Sequence, residues 1–380
     1  MVERPFWVSR IQQAWDHAPV AWLSGVRRVG KTTLAKSLAP ARYLNCDLPS
    51  TTELLRDPES FLEAAREPIV VFDEVHQLPD PSRLLKIAAD AFPHLKILAT
   101  GSSTLAATRK FRDALTGRKR EILLLPVLAE ELPAFGVRDM KERLLRGGLP
   151  QALLSAAHDP EFYAEWMDSF FARDIQELFR VEKRSGFLLL LETLLRQSGG
   201  LVEVTSLAKA SWLSRPTILN YLNVLQVTHA IDLLRPYHAG GRRELLQQPK
   251  VYGFDTGFVA HARGWETLRP EDCGQLWEHL VLDTLKSLRP APRVHFWRDK
   301  QQREVDFVLP RARGACDAIE CKWRASSFDP KSLAVFRSQY PAGRNFVVTS
   351  DTRESYIRRI GHLPVRFVNI SELRRFLEGQ

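Results

Sequence analysis

Val20-Ala21-Trp22-Leu23-Ser24-Gly25-Val26-Arg27-Arg28-Val29-Gly30-Lys31-Thr32-Thr33-Leu34 is the stretch whose reading decides the fold. Its first five residues form an apolar run of the kind buried as a strand in a parallel sheet. Gly25 through Thr32 then match G-x-x-x-x-G-K-[ST] in full, and a helix is expected from Thr32 to about Leu38. The glycines let backbone N–H groups approach a phosphate chain, and the helix N-terminus adds partial positive charge at the same place. Gly25, Val26, Arg27, Arg28, Val29, Gly30, Lys31, Thr32 and Thr33 are therefore the expected nucleotide cradle. Lys31 reaches the β- and γ-phosphates, and the Thr32 hydroxyl ligates Mg²⁺. ATP and Mg²⁺ are the implied cofactors.

The flanking sequence supplies the rest of such a site. Ile69-Val70-Val71-Phe72 reads as a second buried strand, ending in Asp73-Glu74. Asp73 is placed to hold Mg²⁺, and Glu74 to position and deprotonate the attacking water. A third strand, Lys96–Thr100, leads into Gly101-Ser102-Ser103. There Ser102 or Ser103 would sense the γ-phosphate or the water, unless the pair simply caps a helix. Arg118 is a candidate arginine finger for a neighbouring subunit, the alternative being a solvated side chain. Helical patterns at Pro58–Arg66 and Ser82–Phe92 separate the strands, and Glu121–Leu125 reads as a last strand before a short helix over Leu128–Phe135. Strands alternating with helices predict an α/β fold with a parallel sheet.

From about residue 136 to 235 the pattern is helical, with a break at Gly147-Gly148-Leu149-Pro150 and amphipathic helices over 160–180 and 187–198. Beyond Leu201 three short helical pieces and a hairpin, Ile231–Tyr252 turning at Gly240-Gly241, read as a winged helix-turn-helix. Ser214 or Arg215 would cap its second helix, with Pro216 in the first turn. Ile218, Tyr221, Leu222 and Leu225 would face the core and Thr217 and Asn220 a DNA groove, with Arg242 and Arg243 at the wing tip. The same module also serves for protein packing.

The 380 residues are 44% hydrophobic and 26% charged, a globular balance with room for two or three domains. No apolar run reaches the ~20 residues of a membrane helix. Cys46, Cys273, Cys316 and Cys321 form no metal-ligand or disulfide-scaffold spacing, and Met1–Trp7 does not resemble a signal peptide. A reduced, cytoplasmic protein without membrane association is expected. The net charge of +9 is uneven: residues 256–380 carry 21 basic and 15 acidic side chains. A basic balance favours a polyanionic partner such as DNA.

That basic third holds Leu276-Trp277-Glu278-His279-Leu280 on an amphipathic helix over 276–288, Glu304-Val305-Asp306-Phe307-Val308 on a strand, and Ala318-Ile319-Glu320-Cys321-Lys322 on another. Residues two apart on a strand share a face, so Glu320 and Lys322 point together. Helix acid, strand Asp, then Glu-x-Lys is the order of the PD-(D/E)xK nucleases. Asp306 and Glu320 would bind Mg²⁺, Lys322 would stabilise the attacking hydroxide, and Glu278 would add the helix acid. Glu304 shares the face of Asp306 and is a competing ligand. The same residues could instead form structural salt bridges.

With these pieces placed, the chain resembles a large prokaryotic family whose members join an AAA-type ATPase to a C-terminal domain of unknown function. The resemblance covers nearly the whole chain and rests on Gly25–Leu34, Phe72–His76, Thr100–Ser103, Leu115–Arg118, Gly148-Leu149-Pro150, Arg173-Asp174-Ile175, Pro249–Gly257, Trp297-Arg298 and Glu304-Val305-Asp306. It implies an AAA+ P-loop ATPase core at 1–135, a helical connector at 136–186, a winged helix-turn-helix at 187–254 and a restriction-endonuclease-like α/β domain at 255–380. Many members lack a complete nuclease site, whereas here the acids and the lysine are all present. The expected activity is ATP hydrolysis by an oligomeric motor or remodeller, a ring such as a hexamer, on branched or broken DNA. The alternative is a nucleotide-dependent regulatory switch whose C-terminal domains only bind partners.

Overall fold

The computed structural model describes residues 2–101, 105, 108–176, 179, 181, 183–238 and 248–378. The chain divides into two units. The first comprises Met1–Leu125, Asp168–Glu182 and Asn223–Ala230, and the second Pro126–Met167, Lys183–Leu222 and Ile231–Gln380.

In the first unit β1 (Val20–Ser24), β2 (Ala41–Asn45), β3 (Ile69–Asp73), β4 (Lys96–Thr100) and β5 (Lys119–Leu123) form one sheet in the order β2-β3-β4-β1-β5. Every pairing in it is parallel. β1, β3 and β4 lie inside the sheet and carry the continuous apolar runs that burial on both faces requires. The edge strands β2 and β5 are largely polar and half exposed, so their pattern is weak in the sequence. β5 begins two residues before the expected strand, at Lys119. Trp22, Phe72, Leu85, Ile97 and Phe111 build the core, with the Trp22 and Phe111 rings 4.8 Å apart, edge to face. Each such burial contributes roughly 1.5–3 kcal/mol.

The helix after the glycine loop spans only Lys31–Lys36, because Ala39-Pro40 follows and a residue before proline is turned away from helical geometry. Helices Pro58–Glu63 and Pro81–Ala91 fall where the periodicity predicts them. The expected helix 160–180 is α-helical over Pro160–Ser169 and then widens to a π-helical segment, Phe170–Gln176.

In the second unit the expected helix Leu128–Phe135 is only a 3₁₀ turn, Ala129–Glu131. Pro133 has no N–H with which to extend it. Helices Arg184–Arg196, Val204–Ser211 and Arg215–Val227, the last with its final turn assigned to the first unit, precede β6 (Ile231–Leu234), which pairs antiparallel with β7 (Lys250–Gly253). Beyond Leu201 two helices stand where three pieces were expected. The Phe187 and Tyr221 rings meet edge to face at 5.2 Å. Gly186 lies so close to Leu213 that a Cβ there would come within 2.7 Å of its side chain.

The helix Pro270–Lys286, six residues longer at its start than expected, packs on a six-stranded sheet of order β12-β13-β11-β10-β9-β8. Its strands are β8 (His295–Arg298), β9 (Glu304–Pro310), β10 (Cys316–Lys322), β11 (Asn345–Thr349), β12 (Tyr356–Ile360) and β13 (Leu363–Val368). β9–β10 is antiparallel, whereas β10–β11 and β11–β13 are parallel. Val305, Ala318, Phe336, Val347 and Phe367 fill its core. The Trp277 indole fixes the helix to the sheet by donating to the Val348 carbonyl at 2.9 Å.

Candidate functional site

The glycine loop follows the C-terminal end of β1, with Gly25 at φ 144°, Arg28 at 61° and Gly30 at 103°. A Cβ at Gly25 would stand 2.6 Å from the Leu124 carbonyl oxygen, so only glycine brings the backbone through there. Val26 and Val29 are buried beneath the loop, Arg28 and Thr33 are exposed, and Thr32 is half buried. The Lys31 ammonium turns inward and donates to the Gly25 carbonyl at 2.8 Å and the Val26 carbonyl at 3.1 Å. Burial lowers its pKa, against the pull of Glu74 and Asp174. A half-buried ammonium held by two carbonyls of its own loop suits a phosphate, the stronger acceptor. Arg27 Nε pairs with Asp174 Oδ2 at 2.9 Å on the π-helical segment.

Because β4 lies between β1 and β3, the ends of all three strands adjoin the loop. Asp73 is 2% exposed. Its Oδ1 accepts from the Thr100 hydroxyl at 2.5 Å and its Oδ2 from the Tyr43 hydroxyl at 2.6 Å. Thr100 Oγ1 also accepts the Glu74 N–H at 2.9 Å. Glu74 stands in the left-handed region (φ 58°, ψ 42°), with Oε2 3.3 Å from His76 Nδ1. Thr100 thus ties the two acids together from the middle strand. Thr32 and Asp73 are the residues that would hold Mg²⁺. Tyr43 has no motif to announce it and sits on the edge strand that the sequence pattern hid.

Ser102 and Ser103 lie outside the described residues. Arg118 donates to Asp90 Oδ2 at 3.0 Å and to the Ala114 carbonyl at 3.4 Å. Its carbonyl accepts the N–H of Val20, at the N-terminal end of β1 and so at the other end of that strand from the glycine loop.

In the second unit a cleft of about 440 Å³ is lined by Lys250, Glu278, Glu304, Asp306, Cys321 and Lys322, among others. Asp306 Oδ2 accepts the Cys321 N–H at 2.7 Å and the Lys322 ammonium at 3.2 Å. Lys322 also donates to Glu320 Oε2 at 2.7 Å. Glu320 Oε1 is buried without a hydrogen-bond partner among the described residues. Burial, then the Asp306 charge, pushes the Glu320 carboxyl up to about 8. Burial likewise raises Glu278 to about 7, against Lys250 and with Asp306. Burial opposes the Asp306 charge too, but Lys322 and Lys250 prevail and hold its pKa below the usual carboxylate range.

The structure thus brings Glu278, Asp306 and Lys322 to one cleft, with Glu320 buried behind it on Lys322, and adds Lys250, which the sequence did not single out. Lys250 Nζ lies 3.2 Å from Glu278 Oε1 and bonds Glu304 Oε1, while the Tyr252 hydroxyl donates to Glu278. Glu304 Oε2 accepts from Arg298 at 3.3 Å. Among the described residues no three His, Cys, Asp or Glu side chains form a ready-made metal cage. The orphaned Glu320 oxygen beside Asp306 nevertheless fits a cation, with Lys322 standing between the two carboxylates.

On the helix Arg215–Val227, Ser214 is the cap: its Oγ accepts the Thr217 N–H at 3.3 Å and lies 2.7 Å from Thr217 Oγ1. Thr217 is consequently half buried, whereas Asn220 is exposed. Leu219 (57% exposed) shares the outward side, and Trp212 (88% exposed) projects from the preceding turn. Arg242 and Arg243 lie outside the described residues.

Residues 17–132 match the AAA domain family. Residues 137–269 match Domain of unknown function (DUF8612), and residues 273–368 Domain of unknown function (DUF4143). An uncharacterized protein of Mycobacterium tuberculosis is 27% identical over 327 residues, 81% of this chain and 71% of the relative. An uncharacterized protein of Mycobacterium bovis matches with the same figures. Among solved structures, a DNA replication initiation factor aligns at 11% identity and TM-score 0.26, over 63% of this chain and 84% of its own. A signal transduction ATPase with a tetratricopeptide repeat sensor from Pyrococcus horikoshii aligns at 15% and 0.30, over 76% of this chain and 46% of its own. The hexameric AAA+ protein McrB of Thermococcus gammatolerans, bound to McrC, aligns at 15% and 0.23, over 50% and 52%.

Proposed function

We propose that the protein hydrolyses ATP at the glycine loop of its first unit and acts on DNA, with a Mg²⁺-dependent nuclease centre in the acidic cleft. The observation that carries the first part is the convergence of Lys31, Asp73 and Glu74 through the β3-β4-β1 order, in the segment that matches the AAA domain family. Lys31 would leave its loop carbonyls for phosphate oxygens. Thr32 and Asp73 would hold Mg²⁺, which supplies charge neutralisation on the phosphates. Glu74, set beside Asp73 by Thr100, would orient the attacking water and take its proton. Arg118, remote from its own loop, would serve a neighbouring subunit of a homo-oligomeric ring once its pair with Asp90 opens, with six subunits as the count to test.

The DNA and nuclease parts rest on the basic final third, on Glu278, Asp306 and Lys322 lining one cleft, and on the bond from Lys322 to Glu320. In that cleft Asp306 and Glu320 would hold the cation, and Lys322 would keep positive charge beside the attacking hydroxide. A second reading, a nucleotide-dependent switch whose C-terminal unit binds protein partners, is favoured by one observation. The outward side of the helix Arg215–Val227 presents Leu219 and Asn220 rather than a row of bases. ATP turnover and strand cleavage, measured with and without duplex, forked, four-way and single-stranded DNA, separate the two. DNA-stimulated turnover and metal-dependent cleavage lost in Asp306→Ala support the first; turnover indifferent to every DNA, with no cleavage, supports the switch.

A further inference from the structure

Lys250 is a lysine only 2% exposed, on β7, whose neighbours along the chain belong to the hairpin and not to the six-stranded sheet. Its ammonium nevertheless lies in the acidic cleft, between a helix carboxylate, Glu278, and a strand carboxylate, Glu304. Lys322 does the same for Asp306 and Glu320. The four acids are thus sorted into two pairs, each bridged by one ammonium, with the Arg298 guanidinium on the outer oxygen of Glu304. Burying a charge this fully is tolerated only because opposite charges meet it, and a small hard cation satisfies two carboxylates by the same electrostatics. The Glu320 Oε1, buried beside the Lys322 pair, has no donor among the described residues, so a carboxyl oxygen next to the cleft is open to a further partner.

We propose that Lys250 is a built-in competitor of the divalent cation: it occupies the position between Glu278 and Glu304 and sets the metal affinity of the cleft. The proposal rests on the reading of this cleft as a cation site. It assigns Lys250 the role of a positioning residue. The side chain ties the β6–β7 hairpin to the acids, so entry of a cation there requires the ammonium to swing away from at least one carboxylate. Tyr252, two residues on and on the same strand face, holds the Glu278 carboxylate in place when that happens.

The test is Mn²⁺ binding to the full chain without nucleotide, read from the loss of the free-ion paramagnetic signal, together with thermal unfolding at each Mn²⁺ concentration. Lys250→Met is expected to bind Mn²⁺ about tenfold tighter than wild type or better. Adding Glu304→Gln should remove that gain. If Lys250→Met is poorly folded without metal, Mn²⁺ should restore its circular dichroism and raise its unfolding temperature more than it does for wild type. Unchanged affinity together with an unchanged Mn²⁺ effect on unfolding would overturn the proposal, and the cleft reading would survive if Asp306→Asn still abolished binding. No Mn²⁺ bound by any variant, Lys250→Met included, overturns both. A gain in Lys250→Met that Glu304→Gln cancels and Asp306→Asn leaves intact keeps the proposal and removes Asp306 from the cation.

Discussion

Asp283, on the helix Pro270–Lys286, is 2% exposed, and its Oδ2 has no hydrogen-bond partner among the described residues, the Arg143 guanidinium standing 3.9 Å away. Burial pushes its pKa up to about 7, against the pull of Lys286 and Arg143. An unfolded Asp titrates near ~3.9, so between about pH 4 and 7 the folded chain holds a proton that the unfolded chain has released. Stability from this group is full below about pH 4 and is lost as pH rises through 7. Asp283→Asn, which resembles the protonated acid, should therefore come closest to wild type in urea unfolding at about pH 4 and exceed it by a margin that grows up to pH 8. At about 1.4 kcal/mol per pKa unit the gain is at most a few kcal/mol. Identical pH dependence in the two proteins would contradict the assignment. Single residues of this kind were invisible in the sequence. Lys31, Asp73 and Glu74 were legible because phosphate chemistry fixes their spacing to strand ends. Tyr43 and Lys250 were not, because nothing local distinguishes a tyrosine or lysine on a short strand from a surface one.

Interior strands declared themselves through continuous apolar runs: Val20–Ser24 and Lys96–Thr100 have the expected bounds, and Ile69–Asp73 gains only Asp73. Ala41–Asn45 was missed because an edge strand buries chiefly Leu44, leaving no run and no clean alternation. Helices were displaced mainly at their ends, where Pro40, Pro133 and the early start at Pro270 act through local geometry rather than periodicity. The cleft acids were found because Asp306, Glu320 and Lys322 lie on two paired strands. The hairpin's share in that cleft came from tertiary packing alone. At this scale the DNA-binding expectation can be tested on the β6–β7 connection. Replacing Arg242 and Arg243 by Ala should weaken binding to all DNA sequences and reduce the slope of log affinity against log salt by about 2. Unchanged affinity and slope would leave the hairpin to packing, in line with the switch reading.

For the whole molecule, the proposed ATP-dependent assembly is tested at Arg118. Light scattering with ATP and DNA present should show an oligomer, and Arg118→Ala should lower turnover while leaving nucleotide affinity nearly unchanged. A strictly monomeric protein would contradict assembly. No helix among the described residues is long and apolar enough to cross a membrane. One glycine loop and one pair of acids at the end of β3 are proposed to bind and then hydrolyse ATP. The most direct test is a paired measurement of bound nucleotide and steady-state turnover in wild type, Lys31→Ala and Glu74→Gln. Lys31→Ala should lose both binding and turnover, because its charge meets the phosphates throughout the reaction. Glu74→Gln should keep ATP bound and lose turnover by about 100-fold or more, the scale of general-base catalysis. Wild-type turnover in Glu74→Gln, or undiminished nucleotide binding in Lys31→Ala, would contradict these roles.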